Sequence, residues 1–132
     1  IWDTAGEEKF HSILPMYTRG AQVAIIVFNI QDENSFQSVP EWIDFIQKNE
    51  SYRCKIYIAA NQIDLGRTPL LSQARRWSME QHYKFFVTSA NIYDSVSDMF
   101  QCVAEEYNGN DKYKMKPQFY SLQYSEKKKK CC

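Results

Sequence analysis

Apolar residues along the chain follow two different periodicities. Residues 23–28 form a continuous apolar run, which is typical of a strand buried on both faces of a sheet. Residues 55–60 and 83–87 are also largely apolar and are predicted to be a second and a third strand. After each of these runs, apolar residues recur at helical spacing, so the pattern predicts a regular alternation of strands and helices.

Three helical patterns accompany the strands. Pro40 interrupts the first, so a helix either begins near this residue or is kinked there. The apolar positions of this first pattern are Phe36, Val39, Trp42, Ile43 and Ile46. A second helix, which Ser72 can cap, would bury Ala74, Trp77 and Ser78. The last pattern, which Asp94 or Ser95 can cap, has apolar positions at Val96, Met99, Phe100, Val103, Ala104 and Tyr107.

The order of elements predicts an α/β fold with a mostly parallel sheet and helices on both of its faces. Such sheets bind ligands outside the carboxyl ends of their strands. We therefore expect the functional residues in the loops at 1–10, 29–34, 61–69 and 88–94. The helical periodicity stops at Asn108, so residues 1–107 are predicted to form one domain and residues 108–132 a mobile polar tail.

Composition and charge narrow the class of protein. The 132 residues suffice for one domain, and 44% are hydrophobic, an ordinary value for a globular protein. The formal net charge is zero, but Lys127 to Lys130 stand together, so the body is mildly acidic and the tail basic. An acidic body argues against broad nucleic-acid binding, whereas the basic tail favours an anionic membrane surface or an acidic partner. The four cysteines lack disulfide or zinc spacing, and no apolar run is long enough to span a membrane, which predicts a cytosolic chain.

The first candidate loop begins with Asp3-Thr4-Ala5-Gly6, directly after an apparent strand end. A carboxylate at a strand terminus can hold Mg²⁺ through water, which would be the role of Asp3. A glycine lets the backbone N–H approach a phosphate closely, which would be the role of Gly6. Taken alone, an Asp-x-x-Gly sequence is more often a plain turn.

The second and third candidate loops follow the two later strands. Asn61 and Asp64 lie three apart on one turn and can face a base edge together, and a carboxylate that accepts from two adjacent N–H groups suits guanine. The simpler alternative is an Asx turn. In the third loop, the small residues Ser89 and Ala90 would let a backbone N–H reach a ring oxygen of the base.

In combination these motifs resemble the Ras superfamily and, within it, the Rab family of small GTPases. The resemblance covers roughly residues 1–107 and rests on Trp2-Asp3-Thr4-Ala5-Gly6-Glu7-Glu8-Lys9-Phe10, Tyr17-Thr18-Arg19-Gly20-Ala21, Val27-Phe28-Asn29-Ile30 and Asn34-Ser35-Phe36, besides the two loops above. It implies the three-layer fold of P-loop NTPases and binding of GTP or GDP with Mg²⁺. It also implies nucleotide contacts from Asp3, Gly6, Asn61, Gln62, Asp64, Ser89, Ala90 and Asn91.

Several residues depart from the family pattern. Glu7 stands where the family has the glutamine that orients the attacking water, so hydrolysis is expected to be weak or absent. Gln62 and Asn91 replace lysines, which predicts weaker nucleotide binding. No GxxxxGK[ST] P-loop occurs, and the resemblance implies that an inner strand and switch I are missing. We therefore expect an incomplete sequence, which as written would not fold into a stable GTPase.

The tail adds a membrane prediction. Cys131-Cys132 resembles the doubly geranylgeranylated end of Rab proteins, and two lipid chains anchor stably. The implied partners are effectors and exchange factors at the switch II region, the prenylation machinery and carriers of the GDP-dissociation-inhibitor type. The implied location is the cytoplasmic face of endomembranes, with cycling through the cytosol. The alternatives are a nucleotide-impaired pseudo-GTPase that acts as a lipid-anchored interaction protein, and a degenerate product without folded function.

Overall fold

A computed structural model of the chain describes residues 19–49 and 54–109, together with the single residues Ile1, Asp3 and Pro15. Strand β1 spans Val23–Asn29 and is followed by helices α1, Glu33–Gln37, and α2, Val39–Asn49. Strand β2 spans Lys55–Asn61, and a short 3₁₀ helix, Ile63–Leu65, and helix α3, Pro69–Glu80, come next. Strand β3, Lys84–Val87, and helix α4, Tyr93–Tyr107, complete the described part.

The three strands form one parallel sheet in the order β1-β2-β3. Val27 pairs with Ala59, and Ala59 pairs with Phe86, so the register runs straight across the sheet. Parallel pairing of consecutive strands requires the intervening helices to cross over a sheet face. The predicted parallel sheet is confirmed, and the three predicted strands differ from the observed ones by one residue at most at either end.

Two hydrophobic clusters fill the space on either side of the sheet. On one face, alternate strand residues such as Ile26, Ile58 and Ala60 pack against the buried residues of α1, α2 and α3. On the other face, Tyr57 and Phe86 pack against α4 together with Ala59. The central strand β2 is buried on both faces over residues 56–60, whereas Val27 of the outer strand β1 is 56% exposed. This arrangement of helices, sheet and helix is the predicted three-layer α/β architecture.

Pro40 marks the start of a helix, one of the two possibilities that the sequence left open. Helix α1 ends before Ser38, and α2 begins at Val39, so Pro40 lies in the first turn, where its missing N–H is not needed. Asp32 caps α1 by accepting a 3.0 Å hydrogen bond from the backbone N–H of Asn34. Val39 is buried together with Phe36, Ile43 and Ile46, as the helical spacing predicts.

Both predictions of helix caps were wrong. Helix α3 begins at Pro69 with Thr68 in the cap position, so Ser72 is an exposed residue inside the helix. Helix α4 has Ile92 in its cap position, and Ser95 lies buried inside its first turn. The error with Ser72 has a simple cause, because proline is favoured at the first helical position and moves the start toward the N-terminus.

The apolar face predicted for α4 is only partly the buried face. Met99 and Val103 are buried, but Phe100, Ala104 and Tyr107 are exposed. The buried face also contains two residues that an apolar pattern does not single out, Ser95 and Cys102. In α3, by contrast, Ala74 and Ser78 are fully buried and Trp77 is half-buried, as predicted. None of the helices in the described ranges is both long and apolar enough to cross a membrane.

Candidate functional site

The carboxyl ends of the three strands bring their following loops together at one edge of the sheet. Asn29 at the end of β1 pairs in register with Asn61 at the end of β2. The backbone N–H of Ile30 donates to the carbonyl oxygen of Asn61 over 3.2 Å, and that of Ile63 donates to the carbonyl oxygen of Thr88 over 3.3 Å. The loops after β1, β2 and β3 are therefore tied directly to one another, which confirms the predicted meeting of the loops at 29–34, 61–69 and 88–94.

The carboxylate of Asp64 is the centre of this edge. Its Oδ1 accepts a 2.6 Å hydrogen bond from the hydroxyl of Ser89, and its Oδ2 accepts a 2.8 Å hydrogen bond from the side-chain amide of Asn91. The hydrogen bond from Ser89 and, after it, that from Asn91 lower the pKa of Asp64 below its ordinary value. Asp64 is therefore ionised at neutral pH and presents a half-exposed anionic acceptor.

Ser89 is held in place from the interior of the protein. It is fully buried, and its backbone N–H donates to the hydroxyl oxygen of Ser95 over 3.0 Å. Its own hydroxyl oxygen accepts from the backbone N–H of Asn91 over 3.1 Å while it donates to Asp64. A continuous chain of hydrogen bonds thus runs from the first turn of α4 to the carboxylate. The helical pattern predicts only a capping role for Ser95, and the sequence offers no signal for its hydrogen bond to Ser89.

The segment between Asn61 and Asp64 has an unusual backbone. Gln62 adopts φ 68° and ψ 33°, in the left-handed region that residues other than glycine rarely occupy. This conformation turns the chain sharply after β2 and starts the 3₁₀ helix that carries Asp64. Asn61 uses its side chain to join two strands, because its Oδ1 accepts a 3.3 Å hydrogen bond from the hydroxyl of Thr88. Asn61 thus fixes the edge of the sheet, whereas Asp64 presents its carboxylate there.

Ala90 completes the arrangement. It is exposed and stands between Ser89 and Asn91, the two residues that donate to Asp64. The edge therefore combines an anionic acceptor with an adjacent stretch of accessible backbone. Such a pair can bind a heterocycle that has two neighbouring N–H donors, if these donors share the carboxylate with Ser89 and Asn91 or replace one of them.

Comparison with known proteins shows to which family the chain belongs. A model of the Ras family matches residues 1–109. The chain belongs to the Ras family. It is 37% identical over 108 residues to the Ras-related protein Rab-5A of Dictyostelium discoideum, an overlap of 80% of this chain and 54% of that relative. The chain thus spans about half the length of the curated relative that it matches, and the expected fold class of P-loop NTPases is confirmed.

Within this Ras-family chain, the other predicted site residues are located as follows. Asp3 is exposed, and the residues that the structure describes contain no group of three or more side chains able to hold a metal ion. The role of Asp3 in holding Mg²⁺ stays a prediction. Gly6, Glu7, Cys131 and Cys132 lie outside the described residues.

Proposed function

We propose that this Ras-family chain is part of a Rab-type protein that binds GTP or GDP and acts as a membrane-anchored switch in vesicle trafficking. The observation that supports the proposal most strongly is the ionised carboxylate of Asp64, fixed by the buried Ser89 at the carboxyl edge of a parallel sheet. This edge is the place where open α/β sheets bind their ligands. The proposal concerns the activity of a whole protein, because the chain spans only about half the length of the relative Rab-5A.

In this proposal Asp64 selects the base. The ring N–H and the exocyclic amine of guanine would donate to the two carboxylate oxygens, a pair of donors that adenine does not offer in that position. The backbone N–H of Ala90 would donate to the carbonyl oxygen of guanine, and the stem of Gln62 would cover one face of the base. Asn61 would act through Thr88 by holding the loops after β2 and β3 at a fixed separation.

The phosphate end of the site rests on the family resemblance alone. Asp3 would hold Mg²⁺ through a water molecule, and the backbone of Gly6 would approach the terminal phosphate. When bound, Mg²⁺ would neutralise charge on the phosphate oxygens. Glu7 would place a second negative charge near the same phosphate, which opposes hydrolysis.

Membrane attachment is proposed from the tail. Cys131 and Cys132 would each carry a prenyl group, added by the prenylation machinery, and the lysines of residues 127–130 would add attraction to an anionic leaflet. Carriers of the GDP-dissociation-inhibitor type would return the protein to the cytosol. Effectors and exchange factors would bind the segment after Gly6, on the cytoplasmic face of endomembranes.

A second function has support from particular residues. Glu7, Gln62 and Asn91 replace the glutamine and the two lysines that the family resemblance leads one to expect. Asn91 also forms its side-chain hydrogen bond to the carboxylate that would read the base. These replacements favour a lipid-anchored interaction protein with impaired nucleotide binding, which would keep the fold and the tail but bind GDP weakly.

Equilibrium binding of fluorescent GDP to the full chain tests the proposal. Unlabelled GDP and GTP are expected to displace the probe, whereas ADP and ATP at the same concentration are not. Asp64→Ala should abolish the difference, while Asp44→Ala, which changes an exposed aspartate of α2 outside the site, should retain it. Absence of GDP binding, or equal binding by the two variants, would contradict guanine recognition by Asp64.

A further inference from the structure

The two oxygens of the Asp64 carboxylate have partners on opposite sides. Ser89, which donates to Oδ1, is fully buried, so it approaches the carboxylate from the interior. Asn91, which donates to Oδ2, is exposed, so it approaches from the solvent side. A base can reach the carboxylate only from solvent. The Asn91 amide therefore occupies a solvent-side acceptor position of Oδ2, where it competes with an N–H donor of the base.

The Asn91 side chain is held in this position by its own backbone. The backbone N–H of Asn91 donates to the hydroxyl oxygen of Ser89 over 3.1 Å, which fixes the start of the side chain beside Asp64. The 2.8 Å bond to Oδ2 is charge-assisted, because Asp64 is ionised. Such a bond stabilises the site without ligand, and any base that displaces the amide must replace the bond.

Purines differ in the number of N–H donors they bring to this carboxylate. Guanine has two neighbouring donors, a ring N–H and an exocyclic amine, and so requires both solvent-accessible acceptor positions. Hypoxanthine has the ring N–H but lacks the exocyclic amine, and so requires one. Guanine therefore competes with the Asn91 amide for Oδ2, whereas hypoxanthine can bind while Asn91 still donates to that oxygen.

We propose that Asn91 is a specificity-determining residue that narrows the discrimination between guanine and hypoxanthine nucleotides. The proposal rests on the guanine-binding function proposed above and goes further, because it assigns a substrate range to the site. The Asn91 amide acts as an internal substitute for the exocyclic amine of guanine. A protein with Asn91 therefore gains less binding free energy from that amine than a protein that has no hydrogen-bond donor at this position.

The test compares dissociation constants for GDP and inosine diphosphate in the full chain, in Asn91→Ala and in Asn108→Ala. Asn108 is an exposed asparagine just beyond the far end of α4, a 15-residue helix about 22 Å long, and serves as the matched control. Asn91→Ala should bind GDP about tenfold more tightly, because GDP then no longer has to compete with the hydrogen bond between Asn91 and Asp64. A tenfold change corresponds to about 1.4 kcal/mol. Its affinity for inosine diphosphate should change little, so the selectivity ratio should rise about tenfold.

The other outcomes separate this inference from the function on which it rests. An unchanged selectivity ratio in Asn91→Ala, with GDP binding retained, would overturn the role of Asn91 and leave guanine binding standing. Weaker binding of both nucleotides would also overturn it, because Asn91 would then position Asp64 instead of competing with the base. Absence of binding in the full chain and in both variants would overturn the proposed function and this inference with it. Circular dichroism of the three proteins establishes that each is folded.

Discussion

The hydroxyl of Tyr57 on β2 donates a 2.8 Å hydrogen bond to Oε2 of Glu106 on α4. Lys55 forms a 3.0 Å ion pair with the same oxygen, and Lys84 pairs with Oε1. The side chain of Glu106 is only 16% exposed. This cluster joins α4 to the N-terminal ends of β2 and β3, opposite the edge that carries Asp64, and we assign it a structural role.

Replacing Glu106 with glutamine is expected to destabilise the fold. Burial opposes ionisation of Glu106, but the hydrogen bonds from Lys84, Lys55 and Tyr57 outweigh it and lower its pKa to about 2. Glu106→Gln removes the charge that pairs with both lysines and should reduce the free energy of unfolding by about 3 kcal/mol. Urea denaturation at pH 7 measures the change. The neighbouring Glu105→Gln should stay within about 0.5 kcal/mol of the unmodified chain, and equal losses in both variants would contradict the account.

The same cluster predicts how stability depends on pH. The pKa of Glu106 is about 2 in the folded state and near 4.5 in the unfolded chain, so its charge stabilises the fold above pH 4.5. That contribution is lost as the pH falls through 4.5 toward 2, and it amounts to about 3 kcal/mol. Asp64, whose pKa is also lowered, acts in the same direction. Urea denaturation from pH 7 to pH 3 should therefore show a shallower decline in Glu106→Gln, and parallel curves for the two proteins would refute the assignment.

Ser95 links stability to the candidate site. Ser95→Ala leaves the buried backbone N–H of Ser89 without its acceptor, which should lower the free energy of unfolding by about 1–3 kcal/mol. Because Ser89 holds Asp64, affinity for GDP should fall as well. The exposed Ser72→Ala in α3 is the matched control and should change neither quantity. Loss of stability without any change in GDP affinity would show that Ser95 does not position Asp64.

Glu7 gives a prediction about catalysis. Its carboxylate would repel the γ-phosphate and cannot replace the glutamine that positions water. Single-turnover hydrolysis at saturating GTP should therefore be very slow in the unmodified chain and faster in Glu7→Gln. Glu8→Gln, which removes the adjacent charge, serves as the control and should not accelerate hydrolysis. Equal rates for Glu7→Gln and the unmodified chain would show that Glu7 is not the cause of slow GTP hydrolysis.

The strands and the layers could be predicted from the sequence because they follow from local patterns. A run such as residues 23–28, apolar at every position, predicted a strand buried on both faces; the strand is confirmed, but Val27 is 56% exposed. The start of α2 near Pro40 was one of two possibilities, since proline fits both a first turn and a kink. The buried face of α4 could not be fully predicted, because Ser95 and Cys102 are buried through tertiary contacts that hydrophobic spacing does not record.

The candidate site was predicted as a set of residues but not as a geometry. The sequence placed Asp64, Ser89 and Asn91 in loops at the same edge. Their direct hydrogen bonds join positions 25 and 27 residues apart, which depend on how β2 and β3 pair. The left-handed conformation of Gln62 was likewise unpredictable, since glutamine has no preference for it. The side chain of Asn61 was expected at the base edge, which stays a prediction, and the sequence did not indicate that its Oδ1 accepts a hydrogen bond from the hydroxyl of Thr88.

The central claim is that the carboxylate of Asp64 binds the guanine base. The most direct test measures the affinities of Asp64→Asn and of the unmodified chain for GDP and xanthosine diphosphate. The introduced amide has one donor and one acceptor side, so it would oppose the exocyclic amine of guanine but match the carbonyl oxygen that xanthine carries there. The account predicts that the unmodified chain prefers GDP and that Asp64→Asn prefers xanthosine diphosphate. If Asp64→Asn binds GDP as tightly as the unmodified chain does, Asp64 does not contact the base and the account is contradicted.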